Sequence, residues 1–348
     1  MARSPIFSGA KAGRGRTRLH RQVLLGITVI LLISLWLAGH LVGVSAASLL
    51  TLTISGIMLG GILALGSIGL TLVYGVLKFP NFAHGALMTI GAYSAYSAAQ
   101  FLPRGRALSP FSFGAEFPAA IVIAIPAVAV TAVIMDRLLF RPLRRNKASL
   151  ILAAMASLAG MLFLHSVVYL IWGADFHFFY SGRPNPALHL PFGARVQADQ
   201  ILILTLSVVL IALVYGMLTL TRTGKAIRAT ADNPDLAQIR GINTERVITW
   251  TWIIGGSLAA IGGVMYGLTS QLRPEMGYFL LLPLFAATIM GGIGSPAGAL
   301  AGSLIIGVTQ ELSAAFLDPT YGPAIAFVLM IAVLVVCPQG LFGKKGGG

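Results

Sequence analysis

The chain has 348 residues, 57% of them hydrophobic and 10% charged, with a mean hydropathy of +0.87. That composition describes one integral membrane domain and leaves no room for a soluble domain, because charge is expelled from lipid-facing segments. The formal net charge of +14 is large enough for a nucleic-acid binder, but the basic residues cluster at the ends of apolar blocks and do not alternate with aromatics, so no nucleic acid is expected.

The chain opens on a basic arm, residues 1–21, followed by an apolar run of about 20 residues, long enough to span a membrane. The small-residue cluster Val44-Ser45-Ala46-Ala47 has the character of a cleavage site, yet the apolar length favours a retained first helix. Apolar length and flanking charge predict spans over 22–43, 47–77, 82–101, 118–140, 149–171, 198–220, 247–270, 278–291, 297–316 and 322–338. The eighth is short for a crossing of about 20 residues and is expected to be tilted, broken or re-entrant. The expected fold is therefore an all-α polytopic membrane protein of about ten transmembrane helices, with eight to ten crossings compatible. The transmembrane domain runs over 22–343 and the tail over 344–348.

Orientation follows from the basic residues. Of the 24 Lys and Arg, only Arg104, Arg106, Arg183, Arg195 and Arg273 fall on one side of this arrangement, and the other nineteen fall on the opposite side. Both termini are thus expected in the cytoplasm. Within the spans, glycines stand four residues apart at Gly56 and Gly60 and again at Gly298 and Gly302, a spacing that lets neighbouring helix backbones approach closely.

Two segments do not fit a plain bundle. Lys78-Phe79-Pro80-Asn81-Phe82-Ala83-His84-Gly85 joins two spans with almost no connection; Pro80 cannot continue a helix, and Asn81 is placed to cap the next one. Gly291-Gly292-Ile293-Gly294-Ser295-Pro296-Ala297-Gly298 offers Ser295 as a cap and Pro296 as a first helical residue. Irregular backbone at membrane depth must line a cavity or be buried in protein. Tyr74, Asn81, His84, Gly85, Gly291, Gly292, Gly294 and Ser295 are the expected pathway and gate residues, with tight structural turns as the competing reading.

The most distinctive stretch is polar. Residues 221–246 carry five basic and three acidic side chains and no aromatic, facing the cytoplasm in this topology. A simple connection would be shorter, so the insert is expected to dock a soluble partner. Asp232 and Asn233 are placed to cap a short helix with Pro234 at its first position and Asp235 in its first turn, ending near Gly241. Leu236, Ala237 and Ile239 would supply its apolar contacts, while Arg228 and Arg240 would pair with acidic groups on the partner.

Sites for chemistry are missing from the sequence. The insert lacks a phosphate-binding loop, since Ala226 follows Gly224-Lys225 and Thr219 stands where the first glycine belongs. The six histidines show no metal-ligand spacing, so neither metal nor catalysis is expected. Asp136 and Glu311 are the acids within or beside apolar blocks, read as helix-end contacts; a proton- or sodium-driven carrier would keep more ionisable groups at mid-membrane.

The insert GKAIRATADNPDLAQIRGINTERV closely resembles the cytoplasmic loop of branched-chain amino-acid-type ABC importer permeases. The same family shows a glycine-rich span, NFAHG and GAY, matched here by Gly69 to Gly75, Asn81 to Gly85 and Gly91 to Tyr93, and GGIGS-x-x-G-A, matched by Gly291 to Ala299. The resemblance covers residue 50 to the C-terminus, and NFAHG with RGIN resembles the first of the family's two paired permease types. The longer arginine-rich arm and first helix depart from the pattern. The resemblance implies an ABC importer permease fold and a multi-pass place in the bacterial inner membrane. Its implied partners are a second homologous permease subunit, two cytoplasmic ATPases that hold the ATP and Mg, and a periplasmic solute-binding protein; membrane lipid surrounds the bundle. No cofactor is expected on this chain itself. The implied solutes are branched-chain or related amino acids by ATP-driven alternating access, with urea, amides, and small carboxylic or aromatic acids as alternatives. An aquaporin-like channel or a secondary carrier is the competing class, but the chain has no Asn-Pro-Ala pair and a channel needs no docking loop.

Overall fold

The computed structural model describes residue 26 and residues 32–343, apart from 104, 106, 181–186 and 190–192. The basic arm, most of the first predicted span and the tail at 344–348 lie outside the described residues. The helices in chain order are α1 (Leu32–Leu41), α2 (Ala46–Leu77), α3 (Ala83–Phe101), α4 (Glu116–Arg145) and α5 (Leu150–Trp172). An antiparallel hairpin of β1 (Ala187–His189) and β2 (Arg195–Gln197) leads into α6 (Ala198–Leu220). Then come α7 (Arg222–Asp232), α8 (Pro234–Ile239), α9 (Thr244–Thr269), α10 (Met276–Gly291), α11 (Pro296–Ser313) and α12 (Gly322–Val336).

Local chemistry places the helix ends. Ser45 Oγ accepts from Ser48 N–H at 3.1 Å to start α2, and Lys78, at φ +62°, closes it with its N–H on Tyr74 O. Ser149 and Asn243 cap α5 and α9 in the same way. A π turn at Asp136–Phe140 lets α4 run on to Arg145, where the predicted span stopped at residue 140. The predicted 198–220 coincides with α6, and most other predicted spans differ from their helices by a few residues.

α2 is the axis of the bundle. It packs most extensively on α11, and also on α9, α6 and α10, while α3 and α4 flank α9. The α2–α11 seam is backbone on backbone: a Cβ on Gly56 would stand 2.6 Å from Val308 Cα, and one on Gly60 would stand 2.9 Å from Leu304 Cα. Dispersion across so short a separation replaces the hydrophobic drive that lipid does not supply. At the end where α4 finishes and α9 begins, Arg144 pairs with Asp136 at 2.6 Å, and Arg141 and Arg144 reach Glu245 at 3.1 and 3.5 Å. Beside them Phe79, Phe140 and Trp252 stack in series, with centroids 5.0 and 5.2 Å apart.

Six described segments are long and apolar enough to cross a membrane: α2, α4, α5, α6, α9 and the stretch 319–336 that contains α12. α1 and α10 are apolar but shorter. α3 and α11, rich in Ala, Gly, Ser and Thr, are not in that group and sit largely inside the bundle.

Candidate functional site at the loop end of the bundle

The polar insert folds as two helices. Thr221 caps α7 by accepting from Gly224 N–H at 3.1 Å, and Asn233 Oδ1 caps α8 by accepting from Leu236 N–H at 2.9 Å. Pro234 takes the first position of α8, Arg240 follows its last turn, and Gly241 leaves it at φ +81°. Asp232 ends α7 and is not the cap of α8. α7 was missed in the sequence because its glycine and its charges at 222, 225 and 228 obscure a narrow buried stripe of Gly224, Ile227 and Thr230.

The short helix presents two faces. Leu236 is 52% exposed and Ile239 81%, whereas Ala237 is 4% exposed and turned into the protein. The expectation that Ala237 offers a contact to a partner is corrected: its methyl is already covered. Asp232, Asn233, Leu236 and Arg240 border an open groove of about 370 Å³ beside this helix.

Behind α7 lies a cavity of about 730 Å³ that joins the insert to the bundle. Arg228 and Asp232 line it from α7, Thr71, Gly75 and Lys78 from α2, and Gly294 and Ser295 from the glycine turn. Two hydrogen bonds brace it. Lys78 Nζ donates to Ala231 O at 2.6 Å, tying the end of α2 to the end of α7, and Gly294 N–H donates to Thr71 Oγ1 at 2.9 Å. Lys78, Lys225 and Arg228 against Asp232 leave its walls predominantly cationic. Thr71 and Lys78 were not singled out in the sequence; a lone threonine in an apolar run and a lysine at a helix end were the available signals.

The remaining predicted pathway residues lie apart from this cavity. Asn81 and His84 are fully buried, and His84 Nε2 lies 2.9 Å from Gly66 O. Gly85 packs backbone on backbone against Gly277, and Gly291 does the same against Gly298. Gly292, at φ +102°, packs against Phe342 and Gly343, where Leu341 and Phe342 donate to Met290 O and Gly291 O at 2.8 and 2.9 Å. Ser295 caps α11 by accepting from Gly298 N–H at 3.1 Å. Tyr74 is half-buried on α2. The structure thus brings Gly294 and Ser295 together with Arg228 and Asp232, and leaves Asn81, His84 and Gly85 in the packed interior. Asn81 carries its side-chain amide there without a protein partner.

This is the layout of a multi-pass membrane permease: an apolar helical bundle with a folded polar loop braced against its central helix, and no cluster of metal-binding groups among the described residues. Residues 52–334 match the family described as branched-chain amino acid transport system / permease component, and the chain belongs to that family. It is 34% identical over 296 residues to the high-affinity branched-chain amino acid transport system permease protein LivH of Salmonella typhimurium, covering 83% of this chain and 94% of the relative. The LivH protein of Escherichia coli K12 is 33% identical with the same coverage. The corresponding permease protein BraD of Pseudomonas aeruginosa is 30% identical over 303 residues, covering 84% and 94%.

Proposed function

We propose that this chain is the permease subunit of a binding-protein-dependent ABC importer for branched-chain amino acids. It forms the translocation route with a second, homologous permease, while two ATPases on the cytoplasmic side hold and hydrolyse ATP and a periplasmic protein delivers the solute. Membership of the permease family supports the class, and the names of its relatives support the solute. In this reading eight to ten helices cross the inner membrane with both ends in the cytoplasm, in line with the distribution of Lys and Arg.

The observation that carries the coupling role is α8. It is capped and rigid at its start, and it holds Leu236 and Ile239 outward on an otherwise polar loop. Leu236 and Ile239 insert into the ATPase, Arg228 and Arg240 meet its acidic groups, and closure of the ATPases pushes α7 and α8 as one unit against the end of α2. Gly294 and Ser295, at the far wall of the braced cavity, then shift with α2 and gate the inner end of the route.

The test is the double change Leu236→Asp and Ile239→Asp. Both side chains are exposed, so the protein is expected to reach the membrane at its normal level. ATP-dependent uptake and co-purification of the ATPases are expected to be lost together. Retention of both would overturn the docking assignment.

A further inference from the structure

A second cavity, about 230 Å³, lies between α3, α5 and the start of α10. Its size falls below the roughly 300–1,000 Å³ of sites for drug-sized ligands and suits one small solute. Ala86, Met161 and Val168 are part of its apolar wall, and Thr89, His165, Glu275 and Tyr278 are its polar residues.

Glu275 reaches this place because the chain folds back after α9. Leu272 and His177 exchange backbone hydrogen bonds at 3.0 and 2.8 Å, and Gly277 N–H donates to Thr89 Oγ1 at 3.0 Å. Gly277 also packs directly on Gly85 in the first turn of α3. Residues 270–277 therefore descend alongside α3, well inside the length of the helices, and carry Glu275 with them. Among the described residues no cation pairs with its carboxylate. Arg273, the nearest cation in the chain, lies over the rings of Phe176 and Phe279, at 5.6 and 6.0 Å. Glu275 is half-buried, and His165 Nε2 is buried with no hydrogen-bond partner. An ionisable group within the span of a bundle is costly unless it faces a water-filled route or a partner, and here an acid and an unpartnered imidazole border one small apolar cavity.

We propose that this cavity is a solute subsite on the translocation route, taking an α-amino acid with an apolar side chain. The Glu275 carboxylate accepts from the ammonium group, His165 donates from Nε2 to the solute carboxylate, and Ala86, Met161 and Val168 hold the side chain. This deepens the reading of the chain as an importer permease and rests on it.

The experiment uses the full transporter, with its second permease, ATPases and binding protein, reconstituted in proteoliposomes with L-leucine as the probe. Glu275→Gln is expected to cut ATP-dependent uptake about tenfold, as loss of a charge-assisted contact does, and Glu275→Asp recovers part of the uptake. Normal uptake by Glu275→Gln overturns the proposal. Because Glu275→Gln also sits at the start of α10, Tyr278→Cys in a Cys337→Ser background supplies a second readout. Turnover with L-leucine should protect that cysteine from a cationic methanethiosulfonate, and equal labelling with and without L-leucine overturns the subsite. Loss of the second permease from purified Glu275→Gln complex would make the cavity a subunit contact and also overturn it. Failure of the underlying function is distinguishable, because the wild-type transporter would then take up no L-leucine.

Discussion

The helices α2 and α6 pack against each other, yet 89% of the apolar stretch of α2 is buried in the protein and only 17% of that of α6. α6 is the more apolar of the two. In water that order would be reversed, because burial follows apolarity; in lipid, tails and leucines are equivalent and apolarity cannot select the core. Side-chain size makes the selection. α2 presents Gly56, Gly60, Gly61, Gly66 and Gly69 to its neighbours, while α6 meets that row through Ser207, whose Cβ would lie 3.3 Å from a Cβ on Gly61. Ile203 and Leu218 are also buried, but most of the outer face of α6, including Leu213 at 63% exposed, is left uncovered by the bundle.

Three substitutions test that contrast, each read as thermal stability of the purified protein in detergent. The largest effect is expected at the α2–α11 seam. A Cβ at Gly307 would overlap Gly60 N and Gly56 O, so Gly307→Val should cost about 3 kcal/mol and lower the yield of folded protein. Ser207→Leu should cost about 1–2 kcal/mol, since Ser207 is 1% exposed but faces the side-chain-free surface of Gly61. Leu213→Ala should change stability by no more than about 0.5 kcal/mol. If Leu213→Ala matched Gly307→Val, apolar bulk rather than close approach would hold the bundle together.

The same contrast explains what could be read from the sequence. Helix positions were legible because apolar length and terminal charge are local properties; α6 is the clearest instance, and α8 was legible from Asn233, Pro234 and Gly241. Side-chain packing was less legible. Asn81 and His84 beside Pro80 read as polar groups at a broken helix start and so as pathway candidates at the centre of the bundle; the close approaches of Gly85 to Gly277 and of Gly69 to His84 and Gly255, which enclose them there, could not be read. Glu275 falls between the predicted spans 247–270 and 278–291, and nothing local announces that residues 270–277 descend beside α3. The inward turn of Ala237 is equally a property of the tertiary fold: along the sequence it looks like Leu236 and Ile239, and only its packing under α8 separates them.

The length of α2 has a mechanical meaning. Its 32 residues make a rod about 48 Å long, against a hydrocarbon thickness of about 30 Å. A helix of that length tilts or projects beyond the hydrocarbon layer, and its loop end is fastened to α7 through Lys78 and Ala231. α2 is one unbroken helix packed on α11, α9, α6 and α10, so the end braced on α7 and the end capped by Ser45 belong to a single rigid element.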